Sequence, residues 1–157
     1  MEYNPFTKFN KDWALVTSGD KRNFNTMTIS WGSMGTIWNR DVITIYIRPD
    51  RYTWEFLQKS EYFTVSFYDE TYRADLSILG TLSGRKENKI AKTSLTPLFI
   101  QDDIISFKEA KETFVLKKIY MAQMEYDKEP EYAQKIYVNG IKPHYLIMGE
   151  VVDIIKK

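Results

Sequence analysis

Val42-Ile43-Thr44-Ile45-Tyr46-Ile47-Arg48-Pro49-Asp50-Arg51-Tyr52-Thr53 is the stretch that decides the fold. From Val42 to Arg48 the side chains alternate. Ile43, Ile45 and Ile47 share one face, and Val42, Thr44, Tyr46 and Arg48 the other. A period of two carried by β-branched residues is a half-buried strand. Pro49 ends it, and Thr53 to Lys59 reads as a helix capped by Asp50 or Thr53. The junction crowds together two arginines, a proline, an acid and a hydroxyl. A buried structural corner has no use for two guanidinium groups, each with five donors and a permanent charge. Arg48 at the strand end and Arg51 in the first helical turn both point at a volume that the helix N-terminus makes positive. A phosphate suits such a corner; the plain alternative is a solvated, charged turn.

Outward from this junction the chain is mostly strand. Ala14 to Ser18 is a short apolar strand closed by the turn Gly19-Asp20-Lys21. Asn23 to Trp31 is longer, with Phe24, Thr26, Thr28 and Ser30 on one side and Asn25, Met27, Ile29 and Trp31 on the other. Tyr62 to Tyr68, Ile104 to Phe107, Thr113 to Glu125 and His144 to Ile155 follow as strands. Asp69 to Leu79 reads as a second helix that Gly80 stops, and Glu87 to Lys92 as a short third. A polar loop from Tyr126 to Lys142 separates the last two strands. Strands that do not alternate regularly with long helices predict a mainly β fold, an antiparallel barrel with helices added at one side.

Composition narrows the function. The 157 residues read as one domain, spanning 1–157. With 22 basic and 21 acidic residues there is no general pull toward nucleic acid or an anionic membrane. No cysteine is present, which removes disulfides, zinc fingers and iron–sulfur ligation within this chain. The N-terminus has no apolar leader core and no apolar run approaches a membrane span, so a cytoplasmic location is expected. Aromatic residues make up 15% of the chain, a surplus that suits a planar ligand or a dimer interface.

Three polar constellations stand out. In Asn25-Thr26-Met27-Thr28-Ile29-Ser30-Trp31-Gly32-Ser33, the hydroxyls of Thr26, Thr28 and Ser30 share a strand face. They read either as a face that meets water or as a polar ladder for a heterocycle, with Gly32 and Gly35 permitting close approach. In Leu82-Ser83-Gly84-Arg85-Lys86-Glu87-Asn88-Lys89 a Ser-Gly turn precedes Arg85 and Lys89. It lacks the spacing of a Walker loop and reads as an inter-helix turn or a second anion corner. His144 is the one histidine, so it makes no metal site alone, and no Gly-x-Ser-x-Gly elbow accompanies it. It is either a strand-end structural residue or a polar contact in a pocket.

In order, Asn25 to Gly32, Ile47 to Thr53, Phe63 to Phe67, Leu82-Ser83-Gly84-Arg85 with Lys89, and His144 with Gly149-Glu150-Val151 resemble the flavin reductase-like family, FMN-binding split barrels that include flavoredoxin. The likeness runs from about residue 10 to residue 155. It implies a homodimer of Greek-key split barrels, with FMN near the subunit interface. Met27, Thr28, Ile29, Ser30 and Trp31 would border the flavin ring, through side chains or backbone. Arg48, Arg51, Tyr52, Thr53, Ser83, Gly84, Arg85 and Lys89 would line the cofactor's phosphate end. His144 would contact a nicotinamide or another substrate over the ring, with Trp31 or Trp38 walling the pocket. The implied activity is NAD(P)H:flavin oxidoreduction toward an unnamed acceptor. A flavoredoxin-like electron carrier is the near alternative. A non-enzymatic barrel that binds single-stranded nucleic acid or carbohydrate by stacking is the distant one. Ser94 stands where the family is expected to have glycine, and the 121–142 segment carries no family contacts over.

Overall fold

In the computed structural model, which describes residues 3–157, nine strands and four α-helices succeed one another. The strands are β1 (Ala14–Gly19), β2 (Phe24–Ile29), β3 (Gly32–Ile37), β4 (Arg40–Ile47), β5 (Tyr62–Phe67), β6 (Pro97–Gln101), β7 (Ile104–Phe107), β8 (Glu112–Gln123) and β9 (Tyr145–Lys156). The helices are α1 (Pro5–Asn10), α2 (Tyr52–Lys59), α3 (Arg73–Thr81) and α4 (Glu131–Gln134).

Seven strands form one antiparallel sheet in the order β2-β1-β5-β8-β9-β4-β3, and β6 and β7 form a separate hairpin. β2 and β3 lie at opposite edges of the sheet, yet only Ser30 and Trp31 separate them in the chain. A two-residue link reaches no farther than about 10 Å. The sheet must therefore roll until its edges meet without pairing, which makes a split β-barrel. The strand read in Val42 to Arg48 forms, with Ile43, Ile45 and Ile47 fully buried in the barrel core beside Val16, Phe63, Leu116 and Ile147. The opposite face is not left to solvent as a half-buried strand would have it, since Val42 and Thr44 are buried as well. A second apolar layer, including Leu15, Leu76, Leu79 and Phe107, packs α3 and the hairpin against the outside. There Ser66, Ser106 and Thr113 join their hydroxyls at 2.8–2.9 Å.

Four strands and helices lie outside the sequence reading, α1, β3, β6 and α4. α1 forms because Asn4 caps it, its Oδ1 accepting from the N–H of Phe6 at 3.1 Å, and Pro5 supplies the first helical φ. Its Phe9 closes the barrel end against Phe67. β3 pairs with β4 through the turn Trp38-Asn39, both residues in the left-handed region at φ 52° and 58°. Such a turn is usually marked by glycine, which is absent here. β6 is the exposed half of a hairpin begun at Pro97. The expected strand over Asn23 to Trp31 ends at Ile29, and the 126–142 loop contains a 3₁₀ turn at Tyr126–Lys128 and α4.

Two expected helix signals act differently. Gly80 does not stop α3, which begins after a 3₁₀ turn at Glu70–Tyr72 and runs on to Thr81. A Cβ on Gly80 would lie 3.1 Å from Thr28 Cβ, so the glycine lets α3 settle on β2. The N-cap of α2 is Arg51, not Asp50 or Thr53, and no side chain caps it. The third helix shrinks to a 3₁₀ turn at Ile90–Lys92. Ser94, the departure from the expected glycine, gives its hydroxyl to Asp75 Oδ2 at 2.5 Å and so ties its loop to the first turn of α3.

Candidate functional site

Two clefts meet where the end of β2 approaches the end of β4 and the start of α2. One, of about 140 Å³, is lined by Asn25, Arg51, Tyr52, Thr53, Ser83, Gly84 and Lys89 among others. The other, of about 230 Å³, is lined by the β2 end from Met27 through Trp31, by Arg48 and His144, and by Tyr46 and Ile136. Met27 and Arg51 line both, so the two clefts are ends of one groove. The sequence-selected residues from four separate parts of the chain therefore converge.

The first end is built for an anion. The N-terminus of α2 opens on it without a side-chain cap, leaving N–H groups and a partial positive charge exposed. Arg51 Nη2 donates to Gly80 O at 3.0 Å. Lys89 is buried and donates from Nζ to Leu79 O at 2.8 Å and Leu82 O at 3.2 Å. The C-terminal carbonyls of α3 thus steer both cations toward the groove. Burial, foremost, and the nearby Arg51 lower the Lys89 pKa to about 8. Burial also lowers the Arg51 pKa, with Arg48 adding to it. Among the described residues, Asp50 is the only carboxylate lining either end, and it pairs with Arg48 at 3.1 Å. Positive charge is thus held against its own repulsion in a groove with one acid.

Asn25 is the residue that sequence reading missed here. Its Nδ2 donates to Thr53 Oγ1 at 2.9 Å, and a Cβ on Gly84 would fall 2.2 Å from its Oδ1. Asn25 locks the strand, the helix start and the Ser-Gly turn together. A buried amide in a strand interior, where asparagine is uncommon, was the available signal.

The second end places His144 between Trp31 and Tyr137, with ring centroids 5.2 Å and 5.6 Å away. Tyr137 Oη lies 2.5 Å from His144 Nδ1. Burial, foremost, and Arg48 lower the His144 pKa to about 4, while Asp50 opposes them, so the imidazole is neutral at physiological pH.

Several expectations need correction. The hydroxyls of Thr26 and Thr28 form no open ladder. Thr26 donates to Val16 O and meets the Thr17 hydroxyl, and Thr28 donates to Leu76 O at 2.5 Å, so both serve the packing beneath α3. Thr28 and Ser30 line the groove without a hydroxyl ladder. Arg85 lines neither end: it pairs with Glu55 at 2.5 Å and lies 5.1 Å over the Tyr52 ring. Arg48 belongs to the His144 end, not to the Ser83–Gly84 pocket. Trp38 sits in the β3–β4 turn and lines neither end.

The chain matches the flavin reductase like domain over residues 6–156. It belongs to the flavin reductase-like family. No curated protein sequence matches it, but solved structures share its fold. An FMN-binding protein from Thermus thermophilus with bound p-hydroxybenzaldehyde superposes with a TM-score of 0.74 at 18% identity, covering 100% of this chain and 80% of that one. Flavoredoxin from Methanosarcina acetivorans gives 0.72 at 16% identity, covering 93% and 68%. An NADH:FAD oxidoreductase from Streptomyces globisporus gives 0.70 at 9% identity, covering 93% and 76%. Mainly β split-barrel architecture is thus common to the family and this chain. Among the described residues no helix is long and apolar enough to cross a membrane.

Proposed function

We propose that this flavin reductase-like protein binds FMN along the groove and works as an NAD(P)H-dependent flavin oxidoreductase, as a cytoplasmic homodimer. The observation that carries the reading is the cluster of Arg48, Arg51 and Lys89, whose charges depress one another's or their neighbours' pKa values beside an uncapped helix N-terminus. The residues present fit a flavin nucleotide. Gly84 lets the Ser83–Gly84 turn close onto Asn25, and cationic and hydroxyl side chains line the groove from end to end, with the buried Lys89 at the Ser83–Gly84 end.

In this reading Arg51, Thr53, Ser83 and Lys89 hold the phosphate, with Tyr52 and Gly84 shaping its pocket. The β2 end from Met27 to Trp31 borders the ring, and Arg48 and His144 stand at its exposed side. A bound flavin supplies hydride acceptance and one- or two-electron transfer. The protein's own share is to anchor, orient and exclude water. No side chain is required as a nucleophile. His144 and Trp31, the latter 46% exposed, form the wall a second substrate would meet. A dimer is supported by the exposed Tyr126, Tyr132, Ile136 and Val138 on the segment flanking this wall. The flavoredoxin among the similar structures favours a second reading, an electron carrier without reductase activity.

Purified protein titrated with FMN gives the test. Saturable binding with a perturbed flavin spectrum is expected, followed by anaerobic bleaching with NADH or NADPH. Binding without bleaching selects the carrier, and no binding overturns the proposal.

A further inference from the structure

His144 is held by a residue outside the barrel strands. Tyr137 lies on the segment between β8 and β9, the part for which the family resemblance offers no contacts. Its hydroxyl and His144 Nδ1 are 2.5 Å apart, and the imidazole is clamped between Tyr137 and Trp31. A neutral imidazole has one donor and one acceptor nitrogen, and the partner of one nitrogen decides the role of the other. A phenol is the stronger donor and an imidazole nitrogen the stronger acceptor. The favoured arrangement is therefore O–H donating to Nδ1, with the remaining proton on Nε2.

We propose that Tyr137 is a positioning residue that fixes His144 as the Nε2–H tautomer, so that the ring end of the groove presents a neutral donor to a substrate with a hydrogen-bond-accepting carbonyl or carboxamide oxygen. The charges around the pair keep it in this state. Burial, foremost, and Arg48 oppose a second proton on His144, against a smaller contrary effect of Asp50. Burial, foremost, raises the Tyr137 pKa; a His144 backbone contact and Arg48 pull it down, and Glu129 raises it. Glu129 sits on the same segment with both carboxylate oxygens buried and without a hydrogen-bond partner. The phenol thus keeps its proton throughout the physiological range. Ile136, adjacent in sequence, lines the same cleft and is 41% exposed, so the segment that sets the donor also walls its approach. The choice of second substrate is then set by the 126–142 segment while the barrel holds the cofactor.

The substrate half of this inference rests on the flavin reading; the tautomer half does not. His144 is the only histidine, so ¹⁵N-labelled full-length protein without flavin gives one imidazole spin system. The expected spectrum from about pH 5 to about pH 8 has Nε2 protonated and Nδ1 bare. In Tyr137→Phe the ring nitrogens should move toward a mixture of both tautomers. Should that variant fail to fold, 3-fluorotyrosine at 137, a stronger acid of nearly the same shape, should shift the Nδ1 line while leaving Nε2 protonated. A proton on Nδ1 in the wild type overturns the proposal, as does a spectrum indifferent to both changes at 137. With flavin loaded, Tyr137→Phe should raise KM for the second substrate about fivefold, the loss of one oriented neutral hydrogen bond, with FMN affinity unchanged. Equal losses in FMN affinity and KM would mean a merely structural role. If FMN does not bind at all, the flavin reading fails, and the tautomer result stands by itself.

Discussion

Lys89 makes FMN affinity depend on pH, with a sign that the structure sets. In the free protein its pKa is lowered to about 8, by burial first and by Arg51 second. A phosphate dianion in the pocket it shares with Arg51 favours the ammonium and raises that pKa. Below about pH 8 the free and bound forms both carry the charge, so affinity is constant. Above it the free protein must take up a proton to bind, and affinity falls by up to about tenfold per pH unit until the bound pKa is passed. A charge-assisted contact of roughly 1.5–3 kcal/mol limits the total loss to about ten- to a hundredfold. Flavin phosphate loses its second proton near pH ~6, outside this window. Riboflavin, without the phosphate, should show a flat profile.

The same burial acts on stability. A lysine lowered from 10.5 to about 8, by burial first and by Arg51 second, destabilises the fold at neutral pH, and the penalty is relieved as pH rises from about 8 toward 10.5. Its two bonds to Leu79 O and Leu82 O offset part of that penalty. Lys89→Met should therefore melt within a few degrees of wild type, lose about ten- to a hundredfold in FMN affinity at neutral pH, and lose the pH dependence. Flavin fluorescence quenching on titration with apoprotein, for FMN and riboflavin from about pH 6.5 to about pH 10, measures all of this. An FMN dissociation constant that is flat across the range, or that follows riboflavin's, refutes the reasoning.

Three further outcomes are expected. Gly84→Ala drives a methyl against Oδ1 of Asn25, whose amide Nδ2 is already tied to Thr53, so FMN affinity should drop more than about tenfold and the melting temperature should fall; wild-type behaviour would show that the turn moves freely. Glu112, buried, lies 2.8 Å from Lys8 Nζ and from Tyr3 Oη, with Lys156 Nζ 3.3 Å from its Oε1 but outside hydrogen-bond geometry. Burial works against its ionisation, and the Lys8, Tyr3 and Lys156 contacts outweigh it and lower the pKa, so the stability it contributes is lost as pH falls through that lowered value. Glu112→Gln should melt several degrees lower at neutral pH and flatten the acid limb of a stability–pH curve; an unaltered limb would assign acid sensitivity elsewhere. Sedimentation at low micromolar protein should give a dimer, and Tyr132→Glu, at a side chain 78% exposed, should weaken it, whereas a wild-type monomer holding stoichiometric FMN removes the dimer from the proposal.

Much of the barrel was legible because its signals are local. The period-two run from Val42 to Arg48 and the β-branched run from Tyr62 need no knowledge of neighbours to be read as strands, though both faces of each are largely buried. The order of the basic and Ser-Gly corners carried the family. β3 was not legible, because Gly32 to Ile37 has little side-chain pattern and is a strand only by pairing with β4. Its turn at Trp38-Asn39 has no glycine to announce the left-handed residues.

What the sequence by itself determined is the class of fold, the two basic corners and the one histidine, since these depend on residue type and spacing along the chain. Only the tertiary structure decided which of them work together. It drew Thr26 and Thr28 into packing beneath α3, turned Arg85 out to Glu55, and set Arg48 beside His144 in place of the Ser83–Gly84 turn. It also brought in Asn25 and Tyr137, whose partners lie 28 and 7 residues away. The physical reason is that a hydrogen bond or a charge acts through space over a few ångströms. The closing of the split between β2 and β3, which no local pattern encodes, fixes those distances.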